Sequence, residues 1–280
     1  MNPEFWRAFA RNKGAVVGLV FLIAVVALAA LADVAFPGSP WDMATAPFQP
    51  PLSDDAPLGS DTLGRDIAAG IAHGARVSLL IGLTSTLVAV LIGVLLGAVA
   101  GFYGGRVDDA VMRFTELFQT IPNFVLAVVL VAIFTPSITS IVLAIAIVSW
   151  PPLARLARAE FRSLRTREFV QAAVTTGQSN ATIILRQILP NSLSPIIVSA
   201  SLMVATAILL ESSLSFLGLG DPNMMSWGYM VGAARTVIRQ AWWMSFFPGV
   251  AILLTVLALN LVGEGLNDAL NPKMARRGRA

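Results

Sequence analysis

The sequence predicts an all-α, polytopic membrane protein with six transmembrane helices. Its composition is 56% hydrophobic and only 12% charged, about half the charged share usual in soluble domains. Five charge-free stretches, Gly14–Ala32, Val77–Gly105, Leu117–Ala154, Gln187–Leu210 and Gln240–Gly263, each approach or exceed the ~20 residues a helix needs to cross hydrocarbon. The third is about twice that length and carries a polar break at Thr135-Pro136-Ser137, so it reads as a tight hairpin of two spans.

The distribution of Lys and Arg tests this count, because cytoplasmic segments of membrane proteins are enriched in both. With six spans and both termini cytoplasmic, the inner side holds Arg7, Arg11, Lys13, Arg106, Arg113, Arg155, Arg158, Arg162, Arg165, Arg167, Arg186, Lys273, Arg276, Arg277 and Arg279. Only Arg65, Arg76, Arg235 and Arg239 fall outside. Five spans would put the Arg-rich segment Arg155–Arg186 on the outer face, against the same bias. The net charge of +3 therefore has a topological cause. No basic stripe is interleaved with aromatics, which excludes nucleic acid as a partner.

Gly14–Ala32 follows a basic N-terminus and ends in small residues, as a signal peptide does. Its apolar core is longer than the usual 7–15 residues, and it reads as an uncleaved anchor. The chain has no cysteine, so thiolate chemistry, disulfides and Cys-based metal sites are excluded. His73 is the only histidine, too few for a multi-His metal site; it reads as a packing residue at the interface.

After the first span, Asp33–Arg76 reads as an outer loop, since Phe36–Pro57 shows neither helical nor strand periodicity. Ile67–Ala72 suits a short interfacial helix leading into span two. Gly82, Gly93, Gly97 and Gly101 give span two a small-xxx-small face for close helix contact, within the bundle or against a partner. Gly101-Phe102-Tyr103-Gly104-Gly105 marks a turn at headgroup level. A third span is expected from near Asp109 and a fourth to near Pro152. At the inner end of the third, Arg113 and Glu116 are placed for an intrahelical pair or for snorkelling to headgroups. The largest cytoplasmic segment runs from about Leu153 to Pro190, a last outer loop from about Gly218 to Met244, and a short basic tail follows Asn271.

Glu168–Asn191, EFVQAAVTTGQSNATIILRQILPN, divides into two short helices. The first closes at Gly177, the residue best suited to a left-handed helix end. The second starts on Ser179 or Asn180 as N-cap and aligns Ala181, Ile184, Leu185 and Ile188 on one face. Pro190 opposes straight continuation by removing a donor. Such a helix-turn-helix suits either the membrane surface or a protein partner.

The run from Gln171-Ala172-Ala173 through Gly177 to Leu189-Pro190 resembles the EAA loop of ABC importer permeases. Two positions depart from that pattern: Gln171 stands where the family carries Glu, and Gln187 where an apolar residue is usual. PLGSDTLGRD (Pro57–Asp66), HGARVSL (His73–Leu79), GFYGGRVDD (Gly101–Asp109), ESSLSFLGLG (Glu211–Gly220), SWG (Ser226–Gly228) and Phe246–Pro272 narrow the resemblance to the C-type permease of dipeptide, oligopeptide and nickel importers.

The resemblance implies a type I ABC importer transmembrane fold in a bacterial inner membrane. It divides the chain into an anchor and periplasmic loop (1–75), a five-helix transmembrane domain (76–268) with the EAA loop at about 160–190, and a cytosolic tail (269–280). It implies as partners a second homologous permease, two ATP-binding subunits and a periplasmic or lipid-anchored solute-binding protein, besides membrane lipid. ATP and Mg would sit on those partners, and this chain would bind no cofactor. Glu168, Gln171, Ala172, Ala173, Gly177, Ile184, Arg186, Leu189 and Pro190 would form the loop that docks on the ATPase.

Arg65, Asp66 and Glu211 are candidates for gating or the solute pathway. Asp66 reads equally as a helix start favoured by the dipole. Glu211, followed by Ser212, Ser213 and Ser215, reads equally as packing.

No GK[ST] surrounds Lys13 or Lys273, so a Walker A motor is excluded from this chain. Di- or oligopeptides lead as solute, with nickel chelates, glutathione-like or sugar-type solutes as alternatives. A secondary transporter is disfavoured because the deep spans carry almost no ionisable residues. A membrane enzyme is disfavoured because no catalytic cluster is visible.

Overall fold

The computed structural model describes residues 3–270, and every named element among them is a helix. The basic tail, with Lys273, Arg276, Arg277 and Arg279, lies outside the described residues. A short helix α1 (Pro3–Arg11) precedes α2 (Lys13–Ala30). Asn12 separates them, its side chain capping α2 through Ala15 N at 3.0 Å and donating to Asp268 at 3.0 Å.

One turn, α3 (Ala32–Ala35), leads into irregular chain up to Asp66, as the missing periodicity predicts. The loop is tied down at defined points. Ser60 donates to Ala46 O at 2.6 Å, and Trp243 Nε1 donates to Ser60 O at 3.0 Å.

Helix α4 (Ile67–Tyr103) is a single rod of 37 residues, about 55 Å long. The expected separate interfacial helix is absent because Ile67–Ala72 is already its first turns. Arg76 remains inside α4 because its guanidinium turns back to Ala29 O, Ala30 O and Asp33.

The third span departs most from expectation. It consists of α5 (Gly105–Gln119) and α6 (Asn123–Ile133), bent by 80° at a short break. Pro122 sets the bend, since it disfavours helix in the residue before it. The break at Phe134–Ser137 falls where the sequence places it, and Ser137 caps α7 (Ile138–Arg165) through Ser140 N at 3.2 Å. Helix α7 runs through Pro151 and Pro152 instead of ending there. Among the described residues five helices are long and apolar enough to span a membrane, or six when the bent pair is counted as one span.

Past α8 (Glu168–Thr175) and α9 (Asn180–Thr182), a π-turn at Ile183–Ile188 passes directly into α10 (Leu189–Phe216). Pro190 therefore does not stop the helix. In the π-turn Leu189 N–H bonds Ile184 O, five residues back, and Asn191 Nδ2 takes Gln187 O at 2.6 Å. Pro190 falls in the first turn of α10, where a missing N–H forfeits no bond within that helix. The expected loop Gly218–Met244 contains a helix, α11 (Trp227–Ala234), and α12 (Trp243–Leu270) closes the bundle.

The glycine face of α4 packs within the chain. A Cβ at Gly93 would lie 2.9 Å from Trp150 O, and one at Gly101 would lie 2.6 Å from Arg158 O. Between them, Gly97 abuts Ala154 O. Glycine is required along this seam because the backbones of α4 and α7 touch. At the N-terminal end of α4, Ile67, Met225, Trp227, Trp243 and Met244 form the largest core; at its C-terminal end, Ala98, Phe102, Phe161, Val170, Ala173, Ile183 and Ile188 form another.

Candidate functional site

The segment Glu168–Pro190 is built on that second core. Val170 and Ala173 from α8 pack with Ile183 and Ile188 against Phe102 and Phe161. Two bonds close α8: Gln178 N–H reaches Ala173 O at 3.1 Å and Gly177 N–H reaches Val174 O at 3.0 Å. This double closure needs a left-handed residue, and Gly177 supplies it at φ +75. Ser179 then caps the next turn, accepting from Thr182 N at 3.3 Å. The chain reverses as predicted, with Gln187 Nε2 and Gln178 Oε1 at 3.4 Å across the tip.

The inward face differs from the helical stripe expected of Ala181, Ile184, Leu185 and Ile188. Ile183 and Ile188 are the buried pair, Ile184 is half-buried, and Ala181 and Leu185 are exposed. Five residues separate Ile183 from Ile188, and the π-turn puts such a pair on one face where an α-helix would not.

Gln171 explains its own departure from the family's Glu. Its Nε2 donates to Arg165 O at 3.0 Å, satisfying a carbonyl orphaned at the end of α7. A carboxylate, an acceptor only, would repel that carbonyl.

Glu168, Gln171, Ala172, Gly177, Arg186 and Pro190 are exposed, Ala173 is buried, and Leu189 is half-buried. The whole stretch Val174–Ala181 is exposed, and two apolar side chains flank it, Val174 at 53% and Leu185 at 61% exposure. The arrangement is a rigid knuckle with a small apolar face directed away from its own fold.

The remaining candidates lie at the opposite end of α4. Asp66 is the N-cap of α4, accepting from Ala68 N at 2.9 Å. Arg65 stacks over Trp41 at 4.6 Å and faces Asp61 at 3.8 Å. Glu211, only 1% exposed, accepts from Ser226 Oγ at 2.7 Å and from Ser215 Oγ at 2.8 Å.

Ser226 also caps α11 through Tyr229 N at 3.0 Å, and Trp227 N donates to Ser78 Oγ at 3.1 Å. Glu211 thus fastens α11 to the ends of α4 and α10. His73 Nε2 lies 3.2 Å from Phe36 O, a packing position on the loop.

Sequence reasoning missed the ion pair of Asp108 with Arg158, which joins α5 to α7. Of the two readings of Arg113 and Glu116, the intrahelical pair is absent among the described ion pairs, and both side chains are exposed. Asp108 was visible as a carboxylate just past the Gly104-Gly105 turn; its partner, 50 residues away, was one of many arginines.

Comparison with known proteins matches residues 93–276 to the family described as binding-protein-dependent transport system inner membrane component. Residues 3–51 match the N-terminal TM domain of oligopeptide transport permease C. The chain is 42% identical to the di/tripeptide transport system permease protein of Pseudomonas aeruginosa, over 97% of this chain and 92% of that protein. It is 44% identical to the dipeptide transport system permease protein of Escherichia coli K12, over 98% and 94%. Among solved structures it resembles an inward-facing methionine ABC transporter, with TM-score 0.59, 16% identity and coverage of 71% and 94%; that likeness supports the fold.

Proposed function

This chain belongs to the family of binding-protein-dependent transport system inner membrane components, and from that premise we propose that it forms half of the translocation pathway of an ATP-driven importer of di- or oligopeptides. The peptide class is supported by the names of the relatives that match nearly the full chain. The partners are a second homologous permease, two ATPase subunits that carry ATP and Mg, and a periplasmic or lipid-anchored binding protein. Both termini face the cytoplasm, in keeping with the excess of Lys and Arg on that side. The anchor and loop occupy 1–75, the transmembrane domain 76–268 and the tail 269–280.

One observation carries the docking assignment: the Glu168–Pro190 knuckle turns Val174 and Leu185 away from the bundle at the end where basic residues collect. These residues fill a groove on the ATPase subunit. When ATP closes the ATPase pair, the knuckle is displaced. Continuity of the π-turn with α10 carries that displacement along the membrane to Glu211, which holds α11.

Arg65 and Asp66 then act chiefly as supports of α4 and its loop. Glu211 acts as a fastening of the outer face, where solute arrives.

The test is to replace Leu185 by Asp in the assembled importer and measure ATPase co-purification and ATP-driven dipeptide uptake. Loss of both is expected. Full assembly and uptake in Leu185→Asp together with Val174→Asp would overturn the docking role.

A further inference from the structure

Five charged side chains converge on one cleft between α5 and α7, apart from the docking knuckle. The cleft has a volume of 470 Å³ and is lined by Asp109, Met112, Arg113, Glu116, Arg155 and Arg158. That volume lies within the ~300–1,000 Å³ typical of small-molecule sites. Asp109, Arg113 and Glu116 recur along one face of α5, while Arg155 and Arg158 are three apart on α7. Among the described residues only Arg158 of these five is ion-paired, and its partner, Asp108, lies outside the lining. Two carboxylates and two guanidinium groups therefore meet in one space without neutralising each other in pairs.

Their placement on α5 is selective. Val107 and Leu117, exposed apolar residues, lie off the charged stripe of the same helix, while Phe114 stacks on Trp150 of α7. With α6 this helix makes up the broken span, and ionisable groups on crossing helices face water or the bundle interior because hydrocarbon penalises them. The apolar face suits lipid, and the charged face suits an aqueous cavity.

We propose that this cleft is a transient binding site for a short zwitterionic peptide, with Asp109 and Glu116 receiving the free ammonium and Arg113 and Arg155 the free carboxylate. The proposal rests on the peptide-importer reading and adds a station for the solute within this subunit. The side chains of all four ligating residues are exposed, so each contact is well hydrated and weak. That suits a site from which the solute must leave. At the end of the bundle nearest the docking knuckle, it would be the last contact before release.

The absence of cysteine from this chain makes Met112→Cys a single thiol reporter within the subunit. The complete importer, with partner cysteines replaced, is reconstituted in phosphatidylcholine vesicles and treated with a charged, membrane-impermeant thiol reagent. The introduced thiol is expected to react, and millimolar dialanine should slow it about five-fold by mass action. Dialanine blocked by N-acetylation and C-amidation should not, and Glu116→Gln or Arg155→Gln should abolish protection.

An unreactive thiol, or equal protection by the blocked peptide, would overturn the proposal. Protection by phosphatidylethanolamine vesicles without added peptide would also do so, because it would assign the site to a lipid headgroup. Uptake measured on the same vesicles separates the two readings. Import without protection removes the cleft and leaves the importer, whereas dialanine-specific protection without import keeps the cleft and removes peptide import.

Discussion

Asp108 and Arg158 form an ion pair across 50 residues of sequence that closes α5 onto α7 just beyond the glycine seam. Asp108 is buried, and the Arg158 side chain is 31% exposed. Removing one partner strands the other's charge. Asp108→Asn or Arg158→Gln should each destabilise the chain by about 2 kcal/mol, less than for a fully buried pair because water screens Arg158. The double substitution should cost less than the sum of the two. Thermal unfolding in detergent of the four forms measures the coupling, and strict additivity would contradict it.

The seam itself makes a second prediction. Gly97→Val places a branched side chain against the α7 backbone at Ala154 and should cost about 1–3 kcal/mol or more through overpacking. Gly249→Val, where an added Cβ meets nothing within 4 Å, should leave the melting temperature nearly unchanged. A comparable loss at both sites would deny the seam any special role.

Gly177 allows a backbone test of the docking role proposed for the Glu168–Pro190 knuckle. At φ +75 a Val should cost about 1–2 kcal/mol locally and reduce recovery of the ATPase with the permease. Asn, which tolerates the left-handed region, should retain most of it. Co-purification yields of the two variants decide the matter, and equal yields would show that the turn conformation is immaterial.

Removing the Glu211 carboxylate should release α11. Glu211→Ala leaves Ser226 and Ser215 without their acceptor and should cost about 1–3 kcal/mol. The change should appear as faster proteolysis of the 218–244 segment than in the parent, while α2 and α7 remain protected. Unaltered proteolysis there would argue against the fastening.

Acid should erase one contact on the loop side. Hydrogen bonding to Arg76 holds the Asp33 carboxyl below the ordinary aspartate range. Because the folded value is depressed, the stabilisation is full above about pH 4 and fades as pH falls through the folded value. Asp33 is 69% exposed, so the contribution is small. The melting temperatures of parent and Asp33→Asn should differ slightly at neutral pH and converge in acid.

Much of this architecture was legible because lipid imposes simple rules on sequence. Charge-free length located the spans, and Ser137, Gly177 and Ser179 marked their turns through chemistry local to each residue. What could not be read depended on distant partners. Arg76 sits in a helix because Ala29, Ala30 and Asp33 receive it. Pro190 sits within continuous helix because it falls in the first turn of α10, directly after the π-turn, whereas Pro122 stands at the bend between α5 and α6. Gln171 looked like a weakened motif until Arg165 O showed what its amide holds. The pairing of Asp108 with Arg158 was hidden among equivalent arginines, since only the fold selects one of them.

The glycine seam also determines where the subunit can flex. Where backbones meet with no side-chain layer between them, sliding one helix along the other would drive Cα atoms over carbonyl ridges, so α4 and α7 behave as a single beam. Compliance must then reside in thinner material. The elbow at Thr120–Pro122 between α5 and α6 is the candidate joint, a hinge beside a beam. Stiffening that elbow, with the seam left intact, should slow the machine without loosening its frame.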